Sequence, residues 1–168
     1  MLEQLKKEHQ LLRECLAELQ CAAEDAAHDD GTGHLAGQVG RLAWLWRMVH
    51  NPKEDGLVLP CLMESGALKD PEVLGVVLRR QQADPAISAT HLGLMSWDAR
   101  TRQRARDEIL TLVEELTVIL EEEETVVHPH LLRCLGPDRA QRLEEALQHA
   151  WEMGVRDRRG VTAGATVR

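Results

Sequence analysis

Apolar side chains recur at alternating steps of three and four residues along most of this chain. The first stretch consists of Leu2, Leu5, His9, Leu12, Leu16, Leu19, Ala23 and Ala26. Because an α-helix has about 3.6 residues per turn, such a stripe lies on one helix face and packs against other helices. None of the 168 residues is Phe or Tyr, whereas the helix formers Leu, Ala, Glu and Arg are abundant. The pattern therefore predicts an all-α protein.

Further stripes follow, and residues that favour turns separate them. The stripes cover residues 39–57, 74–82, 109–126 and 143–151, and the separators include residues 29–33, Gly66 and Gly136. Asp70 and Pro71 are expected to begin the third helix, which Pro85 either kinks or splits. We predict an up-down four-helix bundle with an extra C-terminal helix over residues 1–155, and a basic, flexible tail over residues 156–168.

Charge and composition exclude several classes of protein. Twenty basic against 28 acidic residues give a net charge of −8, which argues against nucleic-acid binding. No apolar run is long enough to span a bilayer and the N-terminus is polar, so we expect no membrane association and a cytoplasmic location. The four cysteines lack metal-site spacing, and no catalytic triad, phosphate-binding loop or nucleotide motif is present to indicate a substrate.

Five polar residues interrupt the apolar stripes from inside. They are His9, His50, Glu54, Gln82 and Glu123. A carboxylate buried at such a position is costly unless a cation compensates it. Two carboxylates and two histidines on neighbouring helices suit a divalent metal ion in a bundle core. The alternatives are that His9 is a hydrogen-bonded core histidine, and that Glu123, which belongs to a run of four glutamates, lies on a solvated face.

His50 and Glu54 are four residues apart, so an α-helix projects both from one face. Pro52 lies between them and disfavours regular helical geometry, which predicts either a kink at the two residues or their separation onto different faces. If Glu54 and Glu123 face each other without a metal ion, repulsion is expected to raise the pKa of one carboxyl.

The chain also contains an internal repeat. The residues His50, Glu54 and Pro60 recur as Ile119, Glu123 and Pro129 after a shift of 69 positions, and residues 5–9 correspond to residues 78–82 after a shift of 73. The two halves therefore have the appearance of duplicated helix pairs, related by a pseudo-two-fold axis through the core.

These motifs resemble the hemerythrin-like family, also described as HHE cation-binding domains. The resemblance covers residues 1–136 and is carried by Leu5-x3-His9-x2-Leu12, His50-x3-Glu54-x5-Pro60 and Ile119-x3-Glu123-x5-Pro129. It implies a hemerythrin-like bundle that holds non-haem iron. In that family, histidines from both halves bind two irons, which two carboxylates bridge. The resemblance assigns His9 and His50 as histidine ligands, and Glu54 and Glu123 as the bridging carboxylates.

Two positions depart from the family pattern. Gln82 and Ile119 stand where the resemblance expects histidines, and both belong to the same half of a two-metal centre. The leading interpretation is one metal ion, iron, Mn or Zn, on the four remaining ligands. A second ion would depend on the amide of Gln82, the carboxylate of Glu122 and the shared carboxylates. His91 and His128 do not match ligand positions, and for His128 a packing role is predicted.

The resemblance implies use of the metal in oxygen, nitric oxide or redox sensing, or in metal handling, with dioxygen or nitric oxide as a possible small ligand. Two alternatives stay open. The chain could be an interaction protein on a degenerate bundle without metal, or an oxygen-dependent non-haem iron enzyme. The sequence does not indicate a protein partner.

Overall fold

The computed structural model describes the backbone of residues 2–25, 32–95 and 102–163, and the side chains of residues 2–25, 34–94 and 103–153. This part of the chain is all helical. Its five helices are α1 (Glu3–Asp25), α2 (residues 32–65), α3 (Pro71–Met95), α4 (residues 102–135) and α5 (Pro137–Ala163). Within the described residues, no helix combines the length and apolar character needed to cross a bilayer.

The helix ends follow the residues that predicted them. Gly66 and Gly136 have positive φ angles of 74° and 71°, and they terminate α2 and α4. Such angles place the backbone in a region that glycine adopts without a steric penalty. At the start of α3, the Asp70 carboxylate accepts a hydrogen bond of 2.9 Å from the backbone N–H of Glu72. α3 continues through Pro85 without a break, so the predicted split does not occur.

Some of the residues predicted to connect the helices, and part of the predicted tail, lie outside the described residues. These are residues 26–31 and 96–101, together with residues 164–168 of the predicted tail. α5 begins at Pro137 as expected but continues to Ala163, beyond the predicted boundary at residue 155. The extension contains several arginines, which are good helix formers.

Each of the first four helices packs against its neighbours in the order α1, α2, α3, α4 and back to α1, and the C-terminal parts of α2 and α4 also pack against each other. α5 covers α1, the turn Glu54–Val58 of α2 and the C-terminal part of α4. Two apolar clusters result. The first cluster contains the buried apolar residues of the segments 12–23, 35–49, 83–94 and 109–120. The second cluster contains those of the segments 2–5, 58–62, 67–77, 127–135 and 143–147. Along the helices, buried polar residues separate the two clusters.

Candidate metal centre

His9, His50, Glu54 and Glu123 meet between the two apolar clusters. Each is at most 2% exposed, and each offers one ligand atom such that all four atoms lie within 4.8 Å of one another. α1 contributes His9, α2 contributes His50 and Glu54, and α4 contributes Glu123. The structure thus brings the predicted residues together, and their role as metal ligands stays a prediction.

Helices α2 and α4 are not regular α-helices where they pass this site. Three wider, π-helical turns interrupt them, at Leu45–His50, Glu54–Val58 and Glu123–Val127. Each turn ends two residues before a proline, at Pro52, Pro60 and Pro129 respectively. Because proline has no N–H and its ring crowds the carbonyl of the preceding turn, a wider turn accommodates it within a continuous helix.

The backbone hydrogen bonds show how the turns form. The residue before each proline donates its N–H to the carbonyl five positions back, from Asn51 to Trp46, from Leu59 to Glu54 and from His128 to Glu123. One extra residue therefore occupies each turn. Pro52 consequently does not separate His50 from Glu54, because wide turns on both sides of it keep the two side chains at one site.

The carboxylate of Glu123 lies at the centre of the site. Its Oε2 atom is 3.4 Å from Nε2 of His9 and 3.5 Å from Nε2 of His50. Within the described part of the chain, these two nitrogens and both Glu123 oxygens are buried without a hydrogen-bond partner. Buried polar atoms normally have partners, so these atoms are available to a further group such as a cation or a water molecule.

His9 is oriented by groups behind it. Its Nδ1 donates a hydrogen bond of 2.9 Å to Oε1 of Glu124, and Arg13 donates to the same oxygen over 2.9 Å. This contact leaves Nε2 as the atom that faces Glu123. Burial, followed by the charges of His50 and His128, lowers the pKa of His9 to about 3. The ring is therefore neutral at pH 7, which is the form that binds metals.

His50 has a more acidic environment. Its ring lies 5.1 Å, centroid to centroid, from that of Trp46 and 5.0 Å from that of His9. Burial alone lowers the pKa of this imidazole, but the carboxylates of Glu123, Glu54 and Glu8 outweigh burial and raise the pKa above its ordinary value. The two histidines of the site thus differ in how readily they give up a proton.

His128 belongs to the site, contrary to the predicted packing role. Its Nε2 donates a hydrogen bond of 3.2 Å to Oε1 of Glu54, and its ring stacks at 5.6 Å from that of His9. Burial by itself raises the pKa of the Glu54 carboxyl, but His128, His50 and Arg80 together lower it to about 2. The predicted rise in carboxyl pKa is therefore wrong for Glu54, because these basic groups lie beside it.

Arg80 is the second site residue that the sequence analysis missed. Its guanidinium is 3% exposed and has Nε 3.5 Å from Oε1 of Glu123. The predicted stripe of α3 is wrong: Leu74 and Leu78 are 38% and 51% exposed and Gln82 is also exposed. The buried stripe of α3 instead contains Val73, Val76, Val77, Arg80, Ala83 and Ile87. Both stripes have helical spacing, but the buried stripe contains an arginine, so the apolar pattern of the sequence did not reveal it.

The other positions considered for ligation are placed as follows. Ile119 is buried in the first cluster, where its side chain offers no ligand atom. Glu122 is half-buried and pairs with Arg79. His91 lies against Gly40 of α2, and its Nε2 would be 3.8 Å from a Cβ at that position. The alternative second-metal ligand set of Gln82 and Glu122 is therefore not assembled.

A second buried polar group lies beside His50. Lys53, on α2, places its Nζ 3.0 Å from Oε1 of Glu8, and it also donates a hydrogen bond to the carbonyl of Val49. Burial raises the pKa of Glu8, and the charge of Lys53 opposes that rise. Gln4, one helical turn before Glu8, is also buried. The Lys53–Glu8 pair therefore places further ionisable side chains next to His50.

Comparisons with family models, curated proteins and solved structures find no match to this chain. The site must therefore be interpreted from its own geometry.

Proposed function

We propose that this chain is a hemerythrin-like protein that binds one non-haem metal ion through His9, His50, Glu54 and Glu123. Iron is the expected metal, with Mn or Zn as alternatives of similar ligand preference. The five helices are compatible with an up-down four-helix bundle formed by α1 to α4, with α5 as an added helix. The resemblance of the sequence motifs to that family supports the same interpretation.

The spacing of the unpartnered ligand atoms carries the proposal. Ligand atoms bound to a metal at about 2.1 Å in a tetrahedral arrangement lie about 3.4 Å from one another. The distances from Glu123 Oε2 to the His9 and His50 nitrogens are 3.4 and 3.5 Å. These distances are too long for good hydrogen bonds but match atoms that share a cation. Glu54 offers a ligand atom within 4.8 Å of those of the other three residues.

The ligand types also fit a functional metal rather than a purely structural one. Two imidazoles and two carboxylates leave room in the coordination sphere of iron for a small ligand, for which dioxygen and nitric oxide are the candidates. We propose use in oxygen, nitric oxide or redox sensing, or in metal handling. A hydrogen bond from a carboxylate to the outer nitrogen of a histidine ligand is typical of metal sites, and Glu124 provides it for His9.

Metal content tests the proposal directly. The purified protein, incubated with Fe²⁺ under anaerobic conditions or with Zn²⁺ and then desalted, is expected to retain one ion per chain by elemental analysis. Glu123→Gln should lower the affinity for the metal more than about 100-fold, because it removes the charge of a ligand, and little metal should be retained. Glu121→Gln is the matched control, since Glu121 is exposed in the same run of glutamates. Equal retention by both variants would contradict the assignment.

A metal-free interaction protein is the second candidate, and one observation favours it. Basic side chains already face the buried carboxylates: Arg80 lies beside Glu123, His128 binds Glu54 and Lys53 pairs with Glu8. The core charges are thus partly compensated without a metal ion. Absence of retained metal, with a melting temperature that Zn²⁺ does not change, would favour this candidate over metal binding.

A further inference from the structure

We propose that Arg80 acts as a built-in second cation, which occupies one side of the Glu123 carboxylate and limits the core to a single metal ion. This inference depends on the proposed metal binding and concerns how many ions the site holds. A carboxylate between two metal ions shares one oxygen with each. In this chain the two oxygens of Glu123 face two different surroundings, and a guanidinium lies on the side where a second ion would be.

The two sides of Glu123 are distinct. Oε2 faces the nitrogens of His9 and His50 at 3.4 and 3.5 Å. Oε1 faces Arg80, whose Nε is 3.5 Å away. A guanidinium stays protonated at any pH at which the protein is folded, so Arg80 is a permanent positive charge at this position.

The groups that hold Arg80 are ones that would also suit a metal ion. Its NH2 atom donates a hydrogen bond of 2.6 Å to Oδ1 of Asp55, and its NH1 atom donates one of 3.4 Å to Oδ1 of Asn51. Carboxylate and amide oxygens are ligands of hard divalent cations. The guanidinium therefore lies beside three oxygen atoms: it donates hydrogen bonds to those of Asp55 and Asn51, and it forms an ion pair with Glu123.

The other carboxylate of the site, that of Glu54, also has a basic side chain beside one of its oxygens. His128 donates to Oε1 of Glu54 at 3.2 Å, so one oxygen of this carboxylate is also occupied by a protein group. Arg80 and His128 come from different helices, α3 and α4, and lie against different carboxylates. Both carboxylates thus present one oxygen to a basic side chain, which leaves their other oxygens for a single metal ion.

Arg80→His tests the proposal, because it replaces the fixed cation by a neutral metal ligand. We would titrate the wild-type protein, Arg80→His and the control Arg79→His with Zn²⁺, and measure bound zinc per chain by elemental analysis. Arg79 is the neighbouring arginine and pairs with Glu122 outside the site. The expected stoichiometry is one for the wild type and for Arg79→His, and two for Arg80→His. A value of two for the wild type, or of one for a folded Arg80→His, would overturn the proposal.

Arg80→Met provides a second measurement if Arg80→His does not fold. Methionine fills a similar volume without charge. In this variant the bound metal ion therefore no longer shares the Glu123 carboxylate with a guanidinium. Zn²⁺ affinity, measured by competition with a chromophoric chelator, is expected to rise about tenfold or more, because a like charge beside the site is removed. Unchanged or weaker affinity would contradict a cationic role for Arg80. A wild-type protein that binds no zinc would instead refute the proposed function itself.

Discussion

The two apolar clusters on either side of the polar site differ in how their helices are built. In the first cluster, α4 is a regular α-helix over Arg102–Glu122 and α2 is one over Thr32–Trp44, up to the wide turn Leu45–His50 at the edge of the cluster. The buried positions there follow the three–four stripe of the sequence. The same two helices enter the second cluster through π-helical turns, which end at Val58 and Val127. There the buried residues are Val58 and Val127, whereas the predicted stripe contained Leu57 and Val126.

The displacement by one residue has a single cause. A π-helical turn contains one residue more than an α-helical turn, so every later residue moves one position around the helix axis. The displaced residues Val58 and Val127 are the last residues of two such turns, and each turn ends two residues before a proline. The candidate metal centre lies at the boundary, where the wide turns carry Glu54 and Glu123 into the core.

The largest expected effect comes from truncating one leucine in each cluster. Leu19 and Leu62 are at most 1% exposed, so Leu19→Ala and Leu62→Ala should each lower the free energy of unfolding by about 2–5 kcal/mol. If the polar site divides the core into two separately packed clusters, the double variant should show the sum of the two effects within about 0.5 kcal/mol.

Urea denaturation of the metal-free protein measures these values. Leu92→Ala is the control, since Leu92 is 71% exposed and should change stability by less than about 0.5 kcal/mol. An interaction energy above about 1 kcal/mol between the two core substitutions would show that the clusters pack as one unit across the site.

The polar boundary between the clusters should make the stability of the metal-free protein depend on pH. The pKa of Glu54 is lowered to about 2 and that of His9 to about 3, so the unfolded chain binds more protons in acid. Stability is therefore expected to be lost as the pH falls from about 6.5 towards 2, by several kcal/mol, at about 1.4 kcal/mol per shifted pKa unit.

His50 changes the stability in the opposite direction, because its pKa is raised in the folded protein. The free energy of unfolding that its protonated form contributes is therefore lost as the pH rises above about 6.5. Melting temperatures of the metal-free protein should thus pass through a maximum near pH 6.5. His128→Leu should weaken the acid-side loss, because Glu54 then lacks its hydrogen-bond donor. A pH profile identical to that of the wild type would show that His128 does not lower the pKa of Glu54.

Much of this organisation could be predicted from the sequence. All described members of the predicted α1 stripe, from Leu2 to Ala23, are buried, and so is Glu123 as the inward member of its run. α1 contains no wide turn, and Glu123 is the first residue of the turn Glu123–Val127, so the α-helical period is undisturbed up to these positions.

Arg80 and His128 could not be predicted in the same way. α3 contains two stripes of helical spacing, and the more apolar-looking choice of Leu74 and Leu78 is the exposed one. His128 comes after the extra residue of the Glu123–Val127 turn, so its direction depends on a change of period that apolar spacing alone does not reveal. Pro52, Pro60 and Pro129 were the features of the sequence that could have indicated the wide turns.

A smaller effect is expected from the group that orients His9. Glu124→Gln keeps a hydrogen-bond acceptor but removes the charge behind the imidazole, so Zn²⁺ affinity should fall about 10–100-fold. Glu122→Gln is the matched control, because Glu122 pairs with Arg79 and does not contact His9. Competition with a chelator measures both. Similar affinities for the two variants would indicate that packing alone orients His9.

The smallest expected effect tests the link between prolines and wide turns. Pro52→Ala restores an N–H to the helix and relieves the crowding that favours the turn Leu45–His50. A shift towards an α-helical turn would rotate His50 and Glu54 by about 100° relative to the preceding part of α2, since an α-helix has about 3.6 residues per turn.

Even a partial shift should lower Zn²⁺ affinity about tenfold, because ligand geometry at a metal tolerates little displacement. Pro85→Ala is the control: Pro85 lies inside α3 without a π-helical turn, so its replacement should leave affinity unchanged while stabilising that helix. Unchanged affinity in Pro52→Ala would show that contacts with the two clusters, rather than the proline, maintain the wide turn. The difference between the two ends of the core would then originate in packing.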